Sequence, residues 1–119
     1  MEEIKQVSYE EAMELAKGFP IQPLYRKVIV TLNMVEDESG VILSNEGLSE
    51  IQYVLAADET SPIRPGDKVI LDLEKMITKV PSETDQHQLV TKLKIDLIEV
   101  DEQGYAFVED RYIKAIDRR

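Results

Sequence analysis

The run Ile51-Gln52-Tyr53-Val54-Leu55-Ala56-Ala57 is followed by the polar connection Asp58-Glu59-Thr60-Ser61-Pro62, then by Pro65-Gly66-Asp67 and Lys68-Val69-Ile70-Leu71-Asp72-Leu73. Proline presets one dihedral angle of a tight turn and the glycine after it supplies another, so 65–67 reads as a turn between two strands, 51–57 and 68–73. The same grammar extends outward. Upstream, residues 24–32 hold the β-branched Val28, Ile29, Val30 and Thr31 and predict another strand. Downstream, Leu89, Thr91, Leu93, Ile95 and Leu97 alternate with Lys92, Lys94 and Asp96, the pattern of a half-buried strand. That alternation changes phase at Ile98 and Val100, which predicts a bulge or bend. Asp101-Glu102-Gln103-Gly104 reads as a hairpin turn into a strand over 105–108. After a short turn over 109–112, Ile113, Ala115 and Ile116 form a closing strand. Short strands separated by turns place the chain in the all-β class, as a small barrel or sandwich.

The first residues follow a different rule. Ser8-Tyr9-Glu10-Glu11 is a capping-box sequence, which predicts a short helix. Tyr9, Ala12, Met13 and Ala16 fall on one face at helical spacing, and Gly18 is placed to end the helix in a left-handed conformation. So thin an apolar face cannot hold a helix by itself and must dock on something. Phe19-Pro20-Ile21-Gln22-Pro23 cannot continue it, because proline has no amide hydrogen and biases its predecessor toward extended backbone. The chain therefore divides into an N-terminal helical extension, 1–18, and a β domain, 19–119.

Two stretches fit neither period. Residues 35–50 set the branched triad Val41-Ile42-Leu43 among acids, serines and glycines, with Gly40 and Gly47 on either side. These side chains are either offered to a partner or form a short buried strand after a long loop, and composition leaves both open. Residues 76–88, with Pro81 and the polar Ser82, Thr84 and Gln86, read as a loop or arm, the core of an insertion over 74–88.

With 24 acidic and 14 basic residues in 119, and a net charge of −10, the protein is expected to repel nucleic acid and anionic membranes. It has no cysteine, which removes disulfides and thiolate chemistry and fits a reducing cytoplasm. No leader-like apolar run opens the sequence, and no apolar stretch is long enough to span a bilayer, so a soluble protein is expected. Catalysis finds little support. His87 is the only histidine and lacks the cluster that would make it a metal ligand or a triad base. The carboxylates are spread without distinctive spacing, and no glycine-rich phosphate loop is present. The expectation is a binding or assembly protein with no catalytic residue, cofactor or metal.

In order along the chain, four segments resemble the chaperonin-10 co-chaperonins. They are the opening strand Ile21-Gln22-Pro23-Leu24-Tyr25-Arg26-Lys27-Val28-Ile29-Val30, the loop Gly40-Val41-Ile42-Leu43, the turn Pro65-Gly66-Asp67-Lys68-Val69, and the closing strands Tyr105-Ala106-Phe107-Val108 and Ile113-Lys114-Ala115-Ile116. Little room is left between 57 and 65 for the roof hairpin of many bacterial members, and 73–104 is longer than theirs. Both features look more like the phage-encoded, T4-type co-chaperonins. Arg26 stands where the family commonly has aspartate, which unsettles the usual subunit pairing there. The resemblance implies a small chaperonin-10-like β-barrel and a homo-oligomeric ring, usually a heptamer. It implies a large ATP-dependent chaperonin as partner, engaged through Gly40, Val41, Ile42 and Leu43 of a mobile loop, 35–50. It also implies an encapsulated client, with a capsid protein expected for a phage product in the host cytoplasm. The rival expectation is a virion or assembly-ring protein that reuses the barrel without a chaperonin.

Overall fold

Successive side chains of a strand point to opposite faces, and in β1 (Lys27–Val30) all three of Val28, Ile29 and Val30 are fully buried, so both faces of this strand are covered. The computed structural model describes residues 6–34, 47–81, 84 and 88–118. β1 lies between β2 (Ile51–Ala57) and β7 (Gln103–Glu109), antiparallel to both. β2 divides its partners: its second half pairs with β1, and Ile51, Gln52 and Tyr53 pair with β3 (Lys68–Leu71). Between Ile29↔Ala56 and Val30↔Val54 the register slips, leaving Leu55 as the extra residue of a bulge. A bulge bends its strand and increases its twist, which is what lets β2 turn from one neighbour to the other. β8 (Ile113–Asp117) adds to β3, and β6 (Asp96–Val100) adds to β7. The order is β6-β7-β1-β2-β3-β8, with a separate two-stranded hairpin of β4 (Ile77–Pro81) and β5 (Leu89–Leu93). The chain is an all-β protein with a short helix.

Two apolar clusters share this sheet. Val28, Val30, Val54, Val69, Leu71, Met76 and Val108 belong to the main one. Ile29, Leu55, Ala56 and Tyr105 face the other way, toward Val7 and Ala12. Ala12 lies on α1 (Tyr9–Ala16), so the N-terminal helix covers the outer face of the sheet. Its capping box forms as expected: the Glu11 N–H donates to Ser8 Oγ at 3.2 Å and the Ser8 N–H to Glu11 Oε1 at 3.5 Å. Two edge-to-face aromatic pairs, Tyr9 with Tyr53 and Phe19 with Tyr105, fix the helix and its trailing segment to the sheet. The Pro65-Gly66-Asp67 turn forms as well, with Gly66 at φ +92° and the Asp67 N–H donating to the Arg64 carbonyl.

The structure differs from the sequence reading at several points. Gly18 does not adopt a left-handed conformation: the helix ends on Lys17 in right-handed geometry, its N–H reaching the Glu14 carbonyl. The first strand begins at Lys27, because Tyr25 and Arg26 are both left-handed, at φ 59° and 60°, and make a turn closed by Lys27 N–H on the Leu24 carbonyl. β3 stops at Leu71, since Asp72 accepts from the Lys75 N–H and caps a one-turn helix, α2 (Leu73–Met76). Part of the expected arm is strand β4, Pro81 being tolerated at its end. The single strand foreseen over 89–97 is two, parted at Lys94-Ile95, where the Lys94 N–H bonds the Met76 carbonyl. The break explains the phase change: Ile98 and Val100 pack in the second cluster while Leu97 is exposed.

Candidate docking site

The hairpin of β1 and β2 continues past its regular strands. Thr31 N–H donates to the Tyr53 carbonyl, Ser49 N–H to the Asn33 carbonyl, and Met34 forms a bridge with Leu48. Two residue steps from Thr31 to Asn33 thus face four from Tyr53 to Ser49, because β2 is leaving β1 for β3 at this point. Main-chain rungs cannot fill such a gap. The side chain of Gln52, fully buried, fills it instead. Its Oε1 accepts from Thr31 Oγ1 at 2.7 Å and from the Asn33 N–H at 2.8 Å, and its Nε2 donates to the carbonyls of Asn33 and Ser49, each at 2.8 Å. A buried amide in an apolar sheet is tolerated only when its donors and acceptors are matched, and here both ends are.

Met34 and Leu48 are themselves buried in the main cluster. The described residues on either side of 35–46 are therefore adjacent to one another and anchored in the core. That segment contains Gly40, Val41, Ile42 and Leu43, the residues singled out for docking, and 35–46 lie outside the described residues, as does His87. What the structure brings together is the base of the site: Met34, Leu48, the Gln52 network, and the N-terminal residues Gln6 and Val7 beside it.

No protein-family model and no curated protein matches the chain.

A second feature stands on the surface. Leu24 is 56% exposed and Tyr25 85%, at the left-handed turn that opens β1. Left-handed backbone is costly for residues with a Cβ, and the surroundings hold it in place. Asp58 Oδ2 accepts from the Arg26 N–H, the Arg26 carbonyl accepts from the Asp110 N–H, and the Arg26 Nη2 sits 2.9 Å from Asp110 Oδ2. Arg26 thus spends its charge within the subunit. The main-chain bond from Arg26 holds the Asp58 carboxyl below its usual range, with help from Thr60 and against the effect of burial.

Sequence reasoning picked the segment 35–50 but missed its base. Gln52 gave a signal, being the one polar residue in the apolar run 51–57 other than the tyrosine hydroxyl. Gln6 and Asn33 gave none, since a short polar residue near a loop is ordinary. Among the described residues, no group of three or more potential metal ligands gathers, and no helix is long and apolar enough to cross a membrane.

Proposed function

We propose that the chain is a co-chaperonin: a chaperonin-10-like barrel that assembles into a ring and caps a large ATP-dependent chaperonin. Gly40, Val41, Ile42 and Leu43 of each subunit occupy an apolar groove of the partner. The observation that carries the reading is the Met34–Leu48 bridge, which holds the two residues flanking 35–46 side by side in the main core. The bend of β2 around that core supports the barrel assignment. Among the described residues β6 and β8 each pair on one side only, and these edges offer places for copies to join. The ring size of seven, a phage origin, the host cytoplasm and a capsid-protein client rest on the resemblance in sequence.

Energetics favour a ring over a single subunit. Burying three aliphatic side chains yields roughly 1.5–3 kcal/mol each. Each residue that docking has to order costs roughly 1–2 kcal/mol of backbone entropy, so ordering a handful cancels the gain. Several linked copies turn later contacts into intramolecular ones and convert weak sites into useful avidity.

The test is a mass measurement of the protein alone and with a chaperonin and ATP, repeated with Ile42→Asp. The expected result is an oligomer that gains the chaperonin's mass only in the unsubstituted form. An Ile42→Asp ring that binds as well as the parent would sink the docking role, and a ring that binds no chaperonin would favour a structural ring component.

A further inference from the structure

β7 covers the outer edge of β1 only as far as Val30↔Ala106. Beyond that point Met34 would present its main-chain groups to solvent, yet one side chain takes both. Gln6 Nε2 donates to the Met34 carbonyl at 2.7 Å, and the Met34 N–H donates to Gln6 Oε1 at 2.7 Å. The arrangement is reciprocated one residue away: the Val7 N–H donates to Asn33 Oδ1 at 2.7 Å and Asn33 Nδ2 to the Val7 carbonyl at 2.9 Å. Two side-chain amides thus copy the donor and acceptor pairs of a sheet ladder.

This contact is not a loose tail lying on a surface. Val7 is buried in the second cluster, Ser8 caps α1, and Ala12 of α1 is buried against the sheet. Asn33 also belongs to the Gln52 network, since its N–H donates to Gln52 Oε1 and its carbonyl accepts from Gln52 Nε2. A continuous chain of fixed groups therefore runs from the helix on the outer face to the base of the hairpin. We infer that Gln6–Val7 is a splint for the hairpin base, and that Gln6 and Asn33 are positioning residues that fix Met34 and Leu48, the described residues flanking 35–46. The splint gives the N-terminal extension a purpose that packing on the sheet alone would not require. Its consequence for chaperonin docking rests on the function proposed above.

The Ser49 amide is the reporter, because it bonds to the Asn33 carbonyl and not to Gln6. In Gln6→Ala its hydrogen exchange is expected to quicken by about tenfold or more, the scale of one or two lost hydrogen bonds. The amides of Ile29 and Val54, deep in the sheet, are expected to hold their protection. Gln6→Glu, which keeps the acceptor for the Met34 N–H and loses the donor, is expected to fall between. Unchanged protection at Ser49 overturns the splint, and so does a loss shared equally by Ile29 and Val54, which would mark an ordinary contribution to global stability. The same variants are then titrated with an ATP-loaded chaperonin, where Gln6→Ala is expected to bind about tenfold more weakly. If Ser49 is released but affinity is unchanged, positioning is overturned. If the unsubstituted protein binds no chaperonin, the proposed function fails while the exchange result still decides the splint.

Discussion

The main-chain N–H of Arg26 donates to the carboxylate of Asp58, and this bond ties a left-handed turn at the start of β1 to the residue that follows β2. Asp58 binds its proton less readily folded than unfolded. Its charge therefore contributes stability above the unfolded carboxyl value, lost as pH falls from about 4 through the folded value. Thermal unfolding followed from pH 7 to pH 2 should show a smaller fall for Asp58→Asn than for the parent, with the variant the less stable of the two at pH 7. Parallel curves would mean that Asp58 is not a source of acid sensitivity.

The hairpin between β6 and β7 turns on Asp101 and Glu102 alone, at φ 51° and 67°. Two-residue turns with both central residues left-handed favour glycine at the second position. Glu102→Gly should raise stability by about 0.5–1 kcal/mol, the relief of strain exceeding the entropy that glycine adds to the unfolded chain. Tyr25→Gly should act in the same direction, since its ring is too exposed to lose much burial. Urea denaturation measures both, and a loss of stability in Glu102→Gly would contradict the strain argument.

Gly66 faces two costs if it gains a side chain. A Cβ there would lie 3.3 Å from Met13 Sδ, and its φ of +92° is unsuited to an L-residue. The Met13 side chain is flexible and can give way, so the backbone cost should dominate. Gly66→Ala is expected to destabilise by about 1–2 kcal/mol. Shortening Met13 to alanine in the same molecule should recover only a small part, and near-complete recovery would show that the steric clash was decisive.

Replacing Gln52 with leucine keeps the volume and removes the bonds. The Asn33 N–H, the Ser49 carbonyl and the Thr31 hydroxyl proton lose their partner, while Thr31 Oγ1 still accepts from the Tyr53 N–H. Three orphaned groups, of which only the Thr31 hydroxyl is fully buried, cost about 2–4 kcal/mol in total. The urea midpoint should fall with an unchanged slope, and a neutral effect would imply that water enters the gap.

The strand elements were largely legible because their signals are local. The run 51–57 is a strand over its whole length, the capping box and the Pro65-Gly66-Asp67 turn formed, and the turn expected over 101–104 is a hairpin turn shortened to 101–102, since β7 begins at Gln103. The misreadings have a common cause. Tyr25 and Arg26 are not residues that announce left-handed backbone, and they take it because Asp58 and Asp110, distant in sequence, hold it there. Likewise the break at Lys94-Ile95 falls where the chain exchanges β4 for β7 as its partner, a change that no periodicity displays. At the candidate site, the aliphatic triad is visible as composition, whereas its base depends on amide side chains that gain meaning only where β2 parts from β1.

The strand order also bears on how the molecule is made. The central strands β1, β2 and β3 come early in the chain, yet Val28 must wait for Val108 and Val69 for Ile116 before either flank is closed. During synthesis from the N-terminus, the first half emerges with both outer edges of its sheet unsatisfied and α1 ready to cover only one face. Such long-range pairing slows folding and prolongs the exposure of strand edges. The protein is thus a late folder, its sheet completed only when β8, through Asp117, has been added.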